Sequence, residues 1–351
     1  MLSGRALPGY ATLDRDHIRE IDRVLEQIKR YSEDSSQKRP LNFLLLASPG
    51  AGKSHFIRCI AAKLGTQKIG AIVYNMVGLQ RHEDLIPPLD AARNLKVEDK
   101  IPLLFLDEFD SEIGNFPLLL PLLWDGELTL GQHDLKLGKV VIVLAGSDPR
   151  LPQVIKAANN LGAEPLADKD SHHPKLIDLF SRINGGVLRI PDLSIPSRRP
   201  DKVCIAVGLL RRRFGPSLKS APLPLIRFIA STEFRYAVRS MAHLIDLIPH
   251  TPGLSHLVPS KLDLPLDTPQ QLKSSSLAYH LVSQDQALGI VNSWKESLRV
   301  NEQVPVSSET LDSIATRSRG IFDNYFADYL ITKVASELQK YRSSVRAGRR
   351  K

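Results

Sequence analysis

The sequence predicts an α/β protein built on a parallel five-stranded sheet flanked by helices, with helical segments after it. Three observations predict this fold. Short apolar segments alternate with helical segments from residue 41 to 190, a glycine-rich loop follows the first apolar segment, and strand signals stop after Pro191. Parallel strands covered on both faces are short continuous apolar runs. The alternation therefore predicts a doubly wound sheet with right-handed crossovers.

Five apolar runs are predicted strands, and they cover residues 42–47, 69–75, 103–107, 140–146 and 186–190. The helices between them are predicted at residues 54–64, 83–93, 117–124 and 151–158. In such sheets ligands bind outside the carboxyl ends of the strands. Since Ala47, Asp107 and Gly146 all end strands, we expect the residues beside them to meet at one site.

Hydrophobic periodicity predicts further helices on both sides of the sheet region. An amphipathic helix is predicted over residues 14–30, followed by a polar linker that begins at Tyr31. Three helices are predicted after the sheet, at residues 202–214, 223–231 and 236–247, and helical periodicity returns from 283 to 341 with a break near Val304 and Pro305. The predicted division is 1–40 for the N-terminal helix and linker, 41–195 for the α/β domain, 196–250 for a small helical domain and 251–351 for a largely helical C-terminal extension.

The loop after the first strand has the composition of a phosphate-binding loop. Its glycines let backbone N–H groups turn toward phosphate oxygens, and the next helix points its positive end at the same anion. Lys53 is expected to reach the β- and γ-phosphates, and the Ser54 hydroxyl to ligate Mg²⁺. The pattern G-x-x-x-x-G-K-[ST] is met except at Ala47, and the alternative is a glycine-rich turn before an ordinary helix. The predicted nucleotide-binding residues are Pro49, Gly50, Ala51, Gly52, Lys53, Ser54 and His55.

Two adjacent carboxylates end the third predicted strand, and they suggest phosphoryl-transfer chemistry. Asp107 is expected to bind Mg²⁺ directly or through its waters, and Glu108 to polarise the attacking water as a general base. The alternative is an acidic pair at the surface, but the phosphate-binding loop earlier in the chain favours the functional interpretation.

Ser147 follows the fourth predicted strand. Its hydroxyl is expected either to contact the γ-phosphate or the attacking water, or to form an ordinary turn, and the residues favour neither. Two arginines complete the candidate site. Arg182 lies just before the last strand, where its fork is suited to a neighbouring subunit's γ-phosphate. Arg239 opens a later helix from which it can reach the phosphates of its own chain. The alternative is a surface salt bridge for Arg182 and an ordinary exposed arginine for Arg239.

The order of these motifs resembles that of the AAA+ ATPases, over residues 40–250. The resemblance is carried by the phosphate loop, the Asp107–Glu108 strand, the strand end at Ser147, and the contexts of Arg182 and Arg239. More narrowly, the segments 106–111, 124–128, 178–183 and 238–241 are similar to a poorly characterised bacterial AAA+ subgroup. The resemblance implies an AAA+ type P-loop fold with a small helical lid, ATP and Mg²⁺ as ligands, and a homo-oligomeric ring or open helix that is commonly hexameric. It also implies that Arg239 acts in cis and Arg182 in trans.

Two departures from the family pattern limit what it implies. Ser147 stands where many members have asparagine, which bears on turnover. The loop at residues 76–81 lacks the aromatic–apolar–glycine order of members that thread polypeptides, which counts against an unfoldase. His172 and His173 lack partners at metal spacing and are interpreted as a polar loop.

Composition and charge narrow the classes of partner that this chain can bind. The chain has 351 residues, a formal net charge of +9 and two cysteines, Cys59 and Cys204, which we expect to be buried free thiols in a reducing cytoplasm. No apolar segment reaches transmembrane length, so no membrane partner is expected. Basic clusters at residues 198–202, 211–213 and 346–351 permit a nucleic acid, while the C-terminal helices suit a protein effector. The leading hypothesis is an ATPase that acts on a macromolecule; the alternatives are a low-turnover, ATP-gated oligomeric scaffold from a mobile-element or defence system and, less favoured, a small-molecule kinase.

Overall fold

The chain divides into two units, one formed by Arg15–Pro191 and the other by Met1–Asp14 with Asp192–Lys351. The structure is a computed structural model. It describes residues 7–112, 116–130, 132–149, 151, 174–195, 198–222, 225–226, 229–230, 232–246, 248, 253–257 and 303–305. The predicted domain boundaries at residues 40, 195 and 250 stay predictions.

The unit Arg15–Pro191 is built on a five-stranded sheet in which all neighbouring strands are parallel. The strands of this unit are β1 (Leu41–Leu46), β2 (Ile69–Asn75), β3 (Ile101–Asp107), β4 (Glu127–Leu130), β5 (His133–Lys136), β6 (Val141–Gly146) and β7 (Gly186–Arg189). The order in the five-stranded sheet is β2-β3-β6-β1-β7, so the α/β fold predicted from the sequence is confirmed. The three central strands are buried along nearly their whole length, whereas the edge strand β2 alternates between buried and accessible residues.

Helices flank this sheet and cover its apolar side chains. Leu44 of β1 and Ile142 of β6 belong to one buried cluster with Leu89 and Leu119, which project from two of the helices. The strands therefore present long apolar runs because neighbouring layers exclude water from them. The helices are α1 (Arg15–Glu33), α2 (Lys53–Leu64), α3 (Ile86–Val97), α4 (Phe116–Trp124) and α5 (Pro174–Ser181).

An antiparallel hairpin of β4 and β5 lies between α4 and β6, and the sequence did not predict it. Gly126 starts it with a φ of 70°. A Cβ at this position would lie 2.8 Å from backbone atoms of Gly138, so a larger residue would collide there. Each strand has only four residues, too few for alternation to distinguish them from a loop.

Helix α1 is longer than predicted, because Tyr31 is part of the helix rather than of a polar linker. The Tyr31 ring is buried. Its hydroxyl lies 2.8 Å from the Arg39 carbonyl and 3.1 Å from the Val140 carbonyl, and it accepts the Val140 N–H at 2.9 Å. Burial raises the pKa of Tyr31 to about 12. One side chain thus ties the end of α1 to the chain before β1 and β6.

The second unit contains two long helices, α6 (Arg199–Phe214) and α7 (Ala237–Asp246), which pack through apolar residues such as Leu210 and Leu244. These correspond to the helices predicted at 202–214 and 236–247; the one at 223–231 is described only in part. Strand β8 (Ser220–Pro222) pairs antiparallel with β9 (Gln303–Pro305), at the predicted break. The rest of the predicted C-terminal helices, residues 152–158 and the histidine pair lie outside the described residues. In the part of the chain that is described, no helix is both long and apolar enough to cross a membrane.

Candidate functional site

The loop between β1 and α2 contains two glycines in the left-handed region, Gly50 with φ 80° and Gly52 with φ 91°. Gly52 is the N-cap of α2. A Cβ at Gly52 would meet no atom within 4 Å, so its backbone conformation rather than lack of space favours glycine. The Ala51 N–H donates to the Ser48 carbonyl at 3.1 Å and closes the turn.

This turn directs the chain into α2 in the manner of an anion-binding loop. The first N–H groups of a helix have no carbonyl partner within it, and Gly52 offers no side-chain cap. The helix dipole adds positive potential at the same end. Backbone donors and potential together make the start of α2 suited to a phosphate.

Lys53, the first residue of α2, holds a buried positive charge. Its side chain is 6% exposed. The ammonium Nζ lies 2.7 Å from Oε1 of Glu108 and 3.2 Å from Oδ1 of Asp107. Two carboxylates therefore compensate one buried cation, and an entering phosphate would compete with them for Lys53.

Ser54 and Asp107 form the part of the site that suits a divalent cation. The Ser54 hydroxyl donates to Oδ2 of Asp107 at 3.1 Å, so a hydroxyl and a carboxylate oxygen lie side by side. Within the described residues, no group of three or more His, Cys, Asp or Glu side chains fits a metal ion. Two oxygen ligands from the protein match Mg²⁺, which takes its other ligands from phosphate and water.

Glu108 follows β3 with φ 55°, in the left-handed region that non-glycine residues seldom adopt. Its carboxylate bonds to Lys53 through Oε1 and accepts the Ser147 hydroxyl through Oε2 at 2.6 Å. The side chain is 30% exposed, so solvent reaches this carboxylate. A strained residue with an accessible carboxylate between a lysine and a serine has the properties of a reactive group.

The strand order explains why Ser147 reaches Glu108. Strand β6 lies between β1 and β3, so the residue after β6 lies between the phosphate loop and the two carboxylates. The sequence predicts that these strand ends are neighbours, and the structure brings Lys53, Ser54, Asp107, Glu108 and Ser147 together.

Asp110 also belongs to this group, although the sequence predicts no role for it. Its Oδ2 accepts the backbone N–H groups of Ser147 at 2.9 Å and Asp148 at 2.7 Å. Burial raises the pKa of Asp110, and the charge of Glu108 adds to this. The only signal in the sequence was its position three residues after Asp107, which says nothing about its partners in a distant loop.

Arg182 is not near Lys53 of the same chain. Its carbonyl accepts the Asn42 side-chain amide at 2.9 Å, which places it beside the amino end of β1. A six-residue strand such as β1 is roughly 17 Å long. The guanidinium donates to the Asp178 carbonyl at 2.8 Å and pairs with the Asp178 carboxylate, and its Cζ lies 5.9 Å from the centre of the Trp124 ring. The local ion pair considered as an alternative is therefore present in the isolated chain.

Three other predicted site residues, Pro49, His55 and Arg239, lie at the surface. Pro49 is exposed in the loop, and His55 is exposed on α2 with its Nε2 3.5 Å from the Cys59 sulfur. Arg239 is exposed on α7 in the second unit. Cys59 and Cys204 are free and buried, as the composition suggested. The roles assigned to Arg182, Arg239 and His55 stay predictions.

Comparisons with known proteins find similarity among solved structures. No protein-family model matches the sequence. No curated protein matches it either. Among solved structures, the crystal structure of NtrX from Brucella abortus in complex with ADP has a TM-score of 0.46 and 14% identity, and covers 96% of this chain and 69% of NtrX. A similarity of this size assigns neither a family nor an activity, so the fold description rests on the sheet order and the flanking helices.

Proposed function

We propose that this chain is a Mg²⁺-dependent ATPase of the AAA+ class, which binds ATP at the loop before α2 and hydrolyses it to ADP and phosphate. One observation carries the proposal: the buried Lys53 at the start of α2 contacts both carboxylates at the end of β3. A cation, a helix N-terminus and two acids at the carboxyl edge of a parallel sheet are the groups that phosphoryl transfer requires.

Each residue at this edge has a distinct role in the proposal. The backbone N–H groups of Gly52, Lys53 and Ser54 and the Lys53 ammonium bind the phosphates. Ser54 and Asp107 would hold Mg²⁺, which when bound neutralises charge on the phosphates. Lys53 exchanges its carboxylate partners for phosphate oxygens as ATP enters, because its three donors cannot all serve both sets of acceptors.

Glu108 is the proposed general base. When Lys53 turns to the phosphates, Oε1 of Glu108 exchanges its 2.7 Å contact with the lysine for a contact with water, from which it accepts a proton. Ser147 keeps its 2.6 Å hydrogen bond to Oε2 and holds the carboxylate in place. The water oxygen attacks the γ-phosphorus while one proton of the water passes to Glu108. The bond between the γ-phosphorus and the ADP oxygen breaks, and ADP leaves.

Glu108→Gln tests this assignment, because the amide keeps the shape and loses the basic oxygen. We expect turnover to fall by about 100-fold or more while ATP affinity changes less than about threefold. Glu112→Gln is the matched control, since Glu112 is exposed four residues later and should behave as wild type. Chelation of Mg²⁺ should also stop hydrolysis. Wild-type turnover in Glu108→Gln would refute the proposal.

Oligomerisation is proposed together with a trans role for Arg182. The supporting observation is the position of Arg182 beside the amino end of β1, a strand length of roughly 17 Å from the loop that follows that strand. An arginine at this distance can act on a nucleotide only in a neighbouring subunit. Arg239 is proposed to contact the phosphates of its own chain, as the resemblance implies.

The proposed partner is a macromolecule, and a nucleic acid is the first candidate. Its support is the net charge of +9 and the run Arg211-Arg212-Arg213 at the end of α6. ATP turnover should be measured alone and with duplex DNA, single-stranded DNA or RNA. Stimulation by one of them at moderate salt, lost at high salt, would identify the partner class. No response to any of the three would favour a protein effector.

A second candidate is an ATP-gated scaffold with little turnover. The observation that favours it is the engagement of both Glu108 oxygens, by Lys53 and by Ser147. If the carboxylate stays paired after ATP binds, the site binds nucleotide without activating water. Turnover near zero in the assembled state, with tight ATP binding, would favour this alternative.

A further inference from the structure

Asp110 connects the two loops that carry Glu108 and Ser147. It lies in the 3₁₀ turn Phe109–Ser111 after β3, whereas its partners follow β6. One carboxylate oxygen accepts two consecutive backbone N–H groups, at 2.9 and 2.7 Å. Hydrogen bonds from amides to an ionised acceptor are strong and directional, so this contact holds the loop after β6 in one place.

The surrounding residues are shaped to allow this contact. Gly146 ends β6 just before the loop, and a Cβ there would collide with the Leu151 side chain and lie 2.9 Å from both Oδ2 of Asp110 and the Phe109 ring. A larger residue at position 146 would therefore require Leu151, Phe109 or the Asp110 carboxylate to shift. The glycine and the aspartate therefore act together to set the distance between the loops.

The position of this loop decides whether Ser147 can reach Glu108. The Ser147 N–H is held by Asp110, and the hydroxyl of the same residue donates to Glu108 at 2.6 Å. Glu108 is in the left-handed backbone region, where only surrounding contacts keep it. A displacement of the loop would remove the contact from Ser147 that orients the Glu108 carboxylate.

We propose that Asp110 is a positioning residue for ATP hydrolysis, which acts by holding the Ser147 loop so that the serine hydroxyl orients Glu108. This inference rests on the function proposed above. Among the described residues, the side-chain hydrogen bonds of Asp110 go to the loop after β6 and not to Lys53 or Ser54, so its loss should affect the chemical step more than nucleotide binding. Displacements of about 1 Å in an active site reduce rates by up to about 100-fold.

Replacement by asparagine separates the hydrogen bonds from the charge. Only Oδ2 of Asp110 is used, because Oδ1 is buried and accepts no hydrogen bond from the described residues. An asparagine can therefore offer its amide oxygen to the same two N–H groups. Alanine cannot, and glutamate keeps the charge but is one methylene too long for the same position.

The test is a double-variant cycle in the full chain. Turnover, KM and ATP affinity are measured for Asp110→Ala, Ser147→Ala and the two combined, with Asp110→Asn, Asp110→Glu and the exposed Asp125→Ala as comparisons. We expect Asp110→Ala to lower kcat about tenfold or more, with KM and affinity changed less than about twofold. The combined variant should be no slower than the slower single variant, because both act through one hydrogen bond. Asp110→Asn should recover most of the rate, Asp110→Glu should not, and Asp125→Ala should match wild type.

Several outcomes would overturn the inference. Additive losses of kcat in the combined variant would show that Asp110 does not act through Ser147. Asp110→Asn as slow as Asp110→Ala, or equal losses of kcat and affinity, would also exclude positioning. If Asp110→Ala does not fold, Asp110→Asn and Asp110→Glu decide the matter alone. If the Asp110→Ala and Ser147→Ala losses are additive while Glu108→Gln is inactive, only this inference is refuted. If the wild-type chain does not hydrolyse ATP, the proposed function is refuted and this inference with it.

Discussion

The two edges of the parallel sheet use polar side chains in different ways. At the carboxyl edge, Lys53, Asp107, Glu108 and Ser147 bond mostly to one another. Side-chain partners of this kind can be exchanged, because each keeps its own backbone position when a ligand replaces the other. Under the proposed function, the carboxyl edge changes these partners when ATP binds.

At the amino edge the polar side chains bond to the backbone instead. The Asn42 amide donates to the carbonyls of Leu123 at 2.6 Å and Arg182 at 2.9 Å, and Asn42 is fully buried. Asn184 accepts the Asn42 N–H at 2.7 Å and donates to the Pro40 carbonyl at 2.9 Å. These contacts close connections between elements, and breaking them leaves buried backbone groups unpaired.

The difference separates variants that should lose function from variants that should lose stability. Replacing one member of a side-chain pair at the carboxyl edge should change the free energy of unfolding little. Removing a side chain that bonds to the backbone at the amino edge should lower it more, because buried backbone groups lose their partners. Arg182 is the exception, since it lies at the amino edge but has a proposed functional role.

Arg182→Ala tests that exception and should have the largest effect. We expect turnover in the assembled state to fall by about 1,000-fold, because an arginine supplied in trans stabilises charge in phosphoryl transfer. Affinity of the isolated subunit for ATP should stay within about twofold. Arg93→Ala is the matched control, since Arg93 forms a similar local pair with Asp90. Mixtures of wild-type and variant subunits that hydrolyse in strict proportion to the wild-type fraction would contradict a trans role.

Lys53→Ala addresses the carboxyl edge directly. We expect ATP affinity to fall by about 100-fold, because the phosphates lose a charged donor and face two unbalanced carboxylates. The free energy of unfolding should change far less than in the amino-edge variants. Lys63→Ala, an exposed lysine on the same helix, should bind ATP normally. Unchanged affinity in Lys53→Ala, measured by titration with a fluorescent nucleotide, would place the phosphates elsewhere.

Asn42→Leu addresses the amino edge. We expect the free energy of unfolding to fall by about 2 kcal/mol, because two buried carbonyls lose their donor. ATP affinity of the folded protein should stay within about twofold of wild type. Denaturant unfolding measures the first quantity, with the exposed Asn94→Leu on α3 as control. A loss of affinity without a loss of stability would contradict the division between the two edges.

Tyr31→Phe should have the smallest effect and a distinctive pH dependence. Removal of the hydroxyl should lower the free energy of unfolding by about 1 kcal/mol at pH 8, because the hydrogen bonds of that hydroxyl are lost. The pKa of Tyr31 is about 12 in the folded chain and 10.0 without burial. The folded state therefore retains a proton that the unfolded state loses between these values, so this contribution to stability is complete below pH 10 and decreases as the pH rises toward 12. The difference between wild type and Tyr31→Phe should shrink or reverse above pH 10 in unfolding curves, and a constant difference would contradict the burial argument.

The sequence predicted the parts of this protein that depend on neighbours along the chain. Apolar runs identified all five strands of the sheet, and glycines beside Lys53 identified the loop, because strand burial and loop conformation leave local signals. The Asp107–Glu108 pair was recognisable for the same reason. The hairpin of β4 and β5 was missed because its strands are short, and Tyr31 was assigned to a linker because its burial depends on a partner more than a hundred residues away.

The tertiary structure alone decided which of these parts meet. Strand β6 enters the sheet between β1 and β3, so Ser147 lies against Glu108 and its loop against Asp110. The same packing leaves Arg182 at the opposite edge from Lys53. Strand order results from how whole layers of apolar side chains pack together, and that is a property of the assembled core rather than of any one segment.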